Sequence, residues 1–158
     1  MSAERRLEQL GLTLPPPPAP VASYVSAVRT GDLLFVSGQG PTRNGRPVYT
    51  GKLGGAISEE EGREAARLCA INLLAVARAE LGSLDRIGRI VKLLVFVASE
   101  NGFDRQPFIA NGASDLLFDV FAEAGRHSRS AVGTNQLPFD IPVEIEMIAD
   151  VASVPDGE

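Results

Sequence analysis

Residues 142–149, PVEIEMIA, constrain this chain more than any other stretch. Val143, Ile145 and Met147 alternate with Glu144, Glu146 and Ile148. An apolar residue at every second position marks a strand that buries one face and leaves the other to solvent or ligand. Side chains two apart share a face, so Glu144 and Glu146 point the same way. An earlier strand is predicted over Ser128–Gly133, and a loop carrying Leu137-Pro138 and Ile141-Pro142 joins the two. Arg129 sits at the start of that earlier strand. With the two strands folded beside each other, a guanidinium that grips carboxylates lies close to an acid able to move a proton or hold a water. The same residues also suit an ordinary polar sheet face with no chemistry.

The other segments supply what this strand needs as neighbours. Arg89–Ala98 (RIVKLLVFVA) is strongly apolar and too short to span a bilayer, which predicts the central strand. Ser58-Glu59-Glu60-Glu61 is a capping box with acids at the positive end of a helix dipole. That helix is predicted to run to about Glu80, with Gly82 as its stop. A second helix is expected over Pro107–Ala124, ended by Gly125. Within it Asn111-Gly112-Ala113-Ser114 is poor helix material, which implies a packing or ligand role, or a helix that begins near Ser114. Near the start, Ser23–Arg29 and Leu33–Val36 form a hairpin about Thr30-Gly31-Asp32. The following Ser37-Gly38-Gln39-Gly40-Pro41 leaves backbone open to a ligand but lacks the spacing of a dinucleotide fingerprint.

The order is β-β-α-β-α-β-β, an α+β class with one mixed sheet and two helices on one face. The uncovered face needs a partner, which points to a symmetric homo-oligomer. Residues 1–22 form a charged helix (Ala3–Leu10, stopped by Gly11) and a proline-rich arm, residues 23–151 the folded body, and residues 152–158 a tail. The arm suits a stiff lead-in to the first strand better than a ligand for a peptide-binding domain.

Charge and composition exclude several functions. The net charge is −5, the 15 basic residues are scattered, and lysine occurs only at Lys52 and Lys92. A nucleic-acid surface needs clustered cations, so no nucleic-acid partner is expected. A lone cysteine, Cys69, excludes an internal disulfide. With no leader pattern or membrane-length apolar run, the expected location is the cytoplasm and no membrane partner is expected. His127, the single histidine, has no second histidine or cysteine near it in sequence, so neither a metal site nor a cofactor is expected.

Several segments together carry a resemblance: Tyr24-Val25, LFVSGQ at 34–39, VKLLVFV at 91–97, and above all RSAVG at 129–133 with Leu137-Pro138 and VEIE at 143–146. In that order and spacing the chain resembles the RidA/YjgF family of reactive intermediate (imine/enamine) deaminases, also labelled endoribonuclease L-PSP. The proline-rich arm, Tyr49–Gly55 and Asn111–Ser114 mark a divergent branch. The resemblance implies a chorismate-mutase-like fold assembled as a homotrimer, with a pocket at each subunit interface. It implies hydrolysis of 2-aminoacrylate-type enamines and imines to 2-keto acids and ammonia, so that the partner is a small carboxylate.

Carried over by position, Arg129 is the carboxylate-binding arginine and Glu144 the acid that positions water or moves protons. Tyr24, Ser37 and Gly38 line the pocket, with Asn111 and Ala131 joining them as substrate-binding candidates. Ala131 stands where archetypal members often have cysteine, so no thiol chemistry is expected there. The competing readings are a trimeric protein that binds a small carboxylate without turning it over, and a ribonuclease, which the acidic charge and single histidine disfavour.

Overall fold

The computed structural model describes residues 1–151; the tail expected over residues 152–158 lies outside the described residues. Five strands form one sheet: β1 (Ala27–Thr30), β2 (Leu33–Gln39), β5 (Ile87–Ala98), β6 (Ser128–Thr134) and β7 (Val143–Val151), in the order β1-β2-β7-β5-β6. β5 and β6 run parallel and the remaining pairs antiparallel, so the sheet is mixed. A two-stranded ribbon, β3 (Thr42–Arg43) and β4 (Arg46–Pro47), caps the exit from β2. The α+β class and the β-β-α-β-α-β-β order agree with the sequence reading.

Two positions in the sheet differ from it. The centre is β7, not the apolar segment that became β5. β5 also inserts between β6 and β7, so the strands carrying Arg129 and Glu144 are not neighbours. A βαβ crossover through the second helix forces this. Parallel β5 and β6 sit side by side, and the turn into β7 returns across β5 to the apolar edge of β2. The first strand is also shorter than expected: residues 23–26 are bent, and pairing begins at Ala27.

One face of the sheet is covered by α2 (Glu59–Leu81) and α3 (Gln106–Phe121). Ile90, Leu93, Val95 and Val97 of β5 meet Val143, Ile145, Met147 and Ala149 of β7 beneath them, all fully buried or nearly so. α2 starts as its sequence dictates. Ser58 Oγ accepts from the Glu61 amide at 3.1 Å, Glu61 Oε2 accepts from the Ser58 amide at 2.9 Å, and Gly82 closes the helix in the left-handed region at φ 82°. Ser58→Ala is expected to lower stability by about 1 kcal/mol in urea unfolding. The short helix α1 (Ala3–Gln9) buries Ala3 and Leu7 in the same core, and the Glu4 carboxylate accepts from the Leu84 amide. Leu14 is buried too, while residues 19–25 of the arm are exposed. No helix among the described residues is long and apolar enough to cross a membrane.

α3 begins at Gln106, a full turn ahead of Asn111–Ser114, and its poor helix formers are explained by packing. Gly112 lies against α2, where a Cβ would fall on the Arg63 carbonyl, a backbone group that cannot rotate away. Gly112→Ala therefore pushes the two helices apart, with an expected loss of about 2–3 kcal/mol in urea unfolding.

Candidate functional site

Register fixes which side chains share a face. Arg129 pairs with Leu93, which pairs with Met147, and both partners are buried under the helices. Arg129 and Ala131 therefore point to the helix side. Glu144 pairs with Phe96, which pairs with Val132, and these belong to the uncovered face. The arginine and the glutamate thus occupy opposite faces of the sheet. Within one chain they form two half-sites rather than a single pocket.

The first half-site lies between β6, an edge strand, and α3. Arg129 Nη1 donates to Asn111 Oδ1 and to Ser114 Oγ, each at 3.0 Å, and Nη2 donates to the Pro107 carbonyl at 3.0 Å. Asn111 and Ser114 stand on either side of Gly112, so the close helix packing and the arginine clamp are one construction. Of the five guanidinium donors, these bonds occupy three. Nε–H and one Nη2 hydrogen remain, on two nitrogens that share an edge, the pair with which arginine grips a carboxylate bidentately. Partial burial lowers the Arg129 pKa while the Asp115 charge raises it, and a guanidinium stays charged at any working pH. It opens on a groove of about 700 Å3 lined also by His127, Phe118 and Arg126. Ala131 sits beside it, partly buried against the core.

The second half-site lies where β2 meets β7. A bulge between Val36 and Gln39 brings Gly38 under Glu144, and a Cβ on Gly38 would stand 2.5 Å from Glu144 Oε1. Only glycine leaves room for the carboxylate there. Burial raises the Glu144 pKa above its ordinary 4.5, and the Glu146 charge adds to the rise. Ser37 donates from Oγ to the Val25 carbonyl at 2.8 Å and from its amide to Ser26 at 2.9 Å. It thereby holds the bent segment carrying Tyr24, which is 45% exposed, along this edge. Gly38 thus lies against Glu144, with Ser37 next to it in the chain, while Asn111 bonds Arg129 and Ala131 follows on the same face.

Ser114 and His127 extend the first half-site. Thirteen positions apart in sequence, they meet at 2.9 Å, and no local pattern signals that contact. Cys69 is a core thiol: burial, then the Glu144 charge, raises its pKa well above the ordinary range. Among the described residues, no three His, Cys, Asp or Glu side chains gather as metal ligands.

Residues 4–151 match the YjgF/chorismate mutase-like family, whose description carries an endoribonuclease activity only as a conjecture. The protein TCP17 of Trypanosoma cruzi is 47% identical over 146 residues, spanning 92% of this chain and 91% of TCP17. The crystal structure of Atu1372 from Agrobacterium tumefaciens, a protein of unknown function, is 44% identical with a TM-score of 0.88, covering 94% of this chain and 92% of that one. TdcF of Escherichia coli, named as a candidate reactive intermediate deaminase, is 31% identical over 132 residues, 84% of this chain and 89% of TdcF. Its crystal structure with bound serine gives a TM-score of 0.64 at 30% identity, covering 87% of this chain and 94% of that one. The fold and these matches define a small mixed-sheet protein of one class. The chain belongs to the YjgF/chorismate mutase-like family, among whose members are named deaminases of reactive intermediates.

Proposed function

We propose that this protein hydrolyses 2-aminoacrylate-type enamines and their imine tautomers to 2-keto acids and ammonia, at sites each built from two copies of the chain. The observation that carries this reading is the pair of half-sites. A clamped guanidinium with two unspent donors sits on one face, and a carboxyl group with a raised pKa sits on the other. Neither half is sufficient alone. Arg129 of one protomer, set against the uncovered face of the next, completes a pocket that holds a carboxylate at one end and a proton-handling acid at the other.

Because the two halves differ, the contact is head-to-tail, and such contacts form a ring when the rotation between neighbours closes. The uncovered face supports this. Phe35 is 41%, Val132 45% and Val28 52% exposed there, an apolar surface that a second copy covers. A homotrimer is the ring we assign. The lone buried thiol suits a reducing cytoplasm.

The chemistry balances without further reactants. Protonation of the enamine carbon gives the imine of a 2-keto acid. Water adds to the C=N carbon with one proton passed to nitrogen. The C–N bond of the resulting amino alcohol then breaks, releasing ammonia and leaving the keto oxygen. Arg129 fixes the substrate by its carboxylate, and Glu144 accepts a proton from the attacking water and returns it to the departing nitrogen. The test is the decay of 2-aminoacrylate, generated in situ, with and without the protein, alongside its mass in solution. Faster release of pyruvate by a trimer supports the proposal. Binding of pyruvate with no acceleration would replace it with a carboxylate-binding role, to which the same arginine is suited.

A further inference from the structure

The groove beside Arg129 contains a titratable group that the hydrolysis described above leaves unused. His127 lies between the turn that ends α3 and the start of β6, with its ring half buried. Its Nδ1 is 2.6 Å from the Gly125 carbonyl oxygen and its Nε2 2.9 Å from Ser114 Oγ. A carbonyl only accepts, so Nδ1 carries the hydrogen, and in the neutral ring Nε2 must accept. The single hydroxyl hydrogen of Ser114 is then committed to Nε2, which leaves its lone pairs to accept from Arg129 Nη1 at 3.0 Å. The bonds run in one direction, from guanidinium to serine to imidazole to carbonyl. Burial lowers the His127 pKa from its ordinary 6.5, the Gly125 carbonyl opposes that, and the Arg129 charge adds to the lowering. Arg126, Asp115 and Asp119 also face this groove. None of them donates to Nε2, and Arg126 is engaged by Glu123 at 3.0 Å.

We propose that His127 is a positioning residue for Arg129: acting through the Ser114 hydroxyl, it fixes one of the three bonds that aim the guanidinium, and so sets the affinity of the groove for a substrate carboxylate. The proposal rests on Arg129 being the group that grips that carboxylate. Without His127 the Ser114 hydroxyl hydrogen has lost the acceptor that holds it. The hydroxyl is then free to rotate, and the bond by which its oxygen aims the guanidinium loosens. A histidine that merely tied off the turn after α3 would affect stability but not ligand affinity.

The experiment compares wild type with His127→Phe, Ser114→Ala, the double variant and His127→Gln, reading KM for 2-aminoacrylate and Kd for pyruvate on the intact oligomer. His127→Phe and Ser114→Ala are each expected to raise KM and Kd about tenfold, with kcat changed less than about twofold. The double variant is expected to be no worse than Ser114→Ala, because that substitution already removes the hydroxyl through which His127 acts. In His127→Gln the amide oxygen can accept from Ser114, and affinity is expected to return to within about threefold of wild type. A folded His127→Phe with wild-type KM and Kd, or additive losses in the double variant, would overturn the proposal. The 15N resonances of the His127 ring give a readout that does not depend on any variant folding. The hydrogen is expected on Nδ1 at neutral pH, and its appearance on Nε2 would also overturn the proposal. Arg129→Ala measured alongside separates the two claims. If it binds pyruvate like wild type, the carboxylate reading fails first.

Discussion

Arg129→Ala is expected to reduce kcat/KM for 2-aminoacrylate by on the order of thirtyfold to several thousandfold, the roughly 2–5 kcal/mol lost when a charged pair is deprived of one partner. The loss has two sources. The substrate carboxylate loses both free donors of the guanidinium, and the Asn111 amide oxygen, the Ser114 hydroxyl and the Pro107 carbonyl lose the cation they were arranged around. Because the side chain is only half buried at a sheet edge, folding stability is expected to change by no more than about 1 kcal/mol. Arg129→Lys is expected to recover little. One ammonium cannot reach three protein acceptors and still offer two parallel donors to a ligand. Initial rates of pyruvate formation decide this, and a loss below about threefold in a folded oligomer would remove Arg129 from the substrate.

Glu144→Gln is expected to act on rate instead of binding. The amide keeps the shape that Gly38 makes room for but cannot take or return a proton. We expect kcat to fall about a hundredfold or more while KM stays within about threefold. The pH profile follows from the direction of the shift. Glu144 works as the carboxylate, so activity falls as pH drops through its pKa, and burial moves that acidic limb upward from the ordinary 4.5. Glu144→Gln should lose that limb along with the rate.

Stability runs the other way. A carboxyl group whose pKa is higher in the folded state favours folding below its unfolded pKa. It loses that contribution as pH rises through the folded value. The ionised glutamate is thus tolerated for its chemistry, and Glu144→Gln is expected to melt at the same temperature as wild type or higher near pH 8. A lower melting temperature there would mean that the charged form is stabilised by contacts other than those described.

How much of this was legible in the sequence depended on the range over which each feature is determined. The box at Ser58 and Glu61 and the stop at Gly82 are local, and α2 forms where they dictate. The alternation from Val143 to Met147 is equally local, and it fixed Glu144 and Glu146 on one face. The start of α3 was legible to within one residue, Pro107 against Gln106, but the role of Gly112 was not, because it reads as a helix breaker in isolation. Its value appears only when the α2 backbone lies across it. Ser23–Ser26 carries a strand pattern, yet it bends because Ser37 captures it by hydrogen bonds. Most consequential for the site, Arg129 and Glu144 look like neighbours in a hairpin. Their separation onto opposite faces depends on β5 entering between them, a matter of strand order that periodicity does not encode.

That separation makes the two-protomer site testable in one experiment. Arg129→Ala and Glu144→Gln proteins, each strongly impaired alone, are unfolded together in equal amounts and refolded so that their subunits mix. An interface that takes its arginine from a Glu144→Gln chain and its glutamate from an Arg129→Ala chain contains neither substitution. Random assortment makes roughly a quarter of the interfaces of this kind, whatever the number of subunits in the ring. The expected result is recovery of about a quarter of the wild-type 2-aminoacrylate hydrolysis rate. A mixed oligomer no more active than its parents would contradict a site shared between chains.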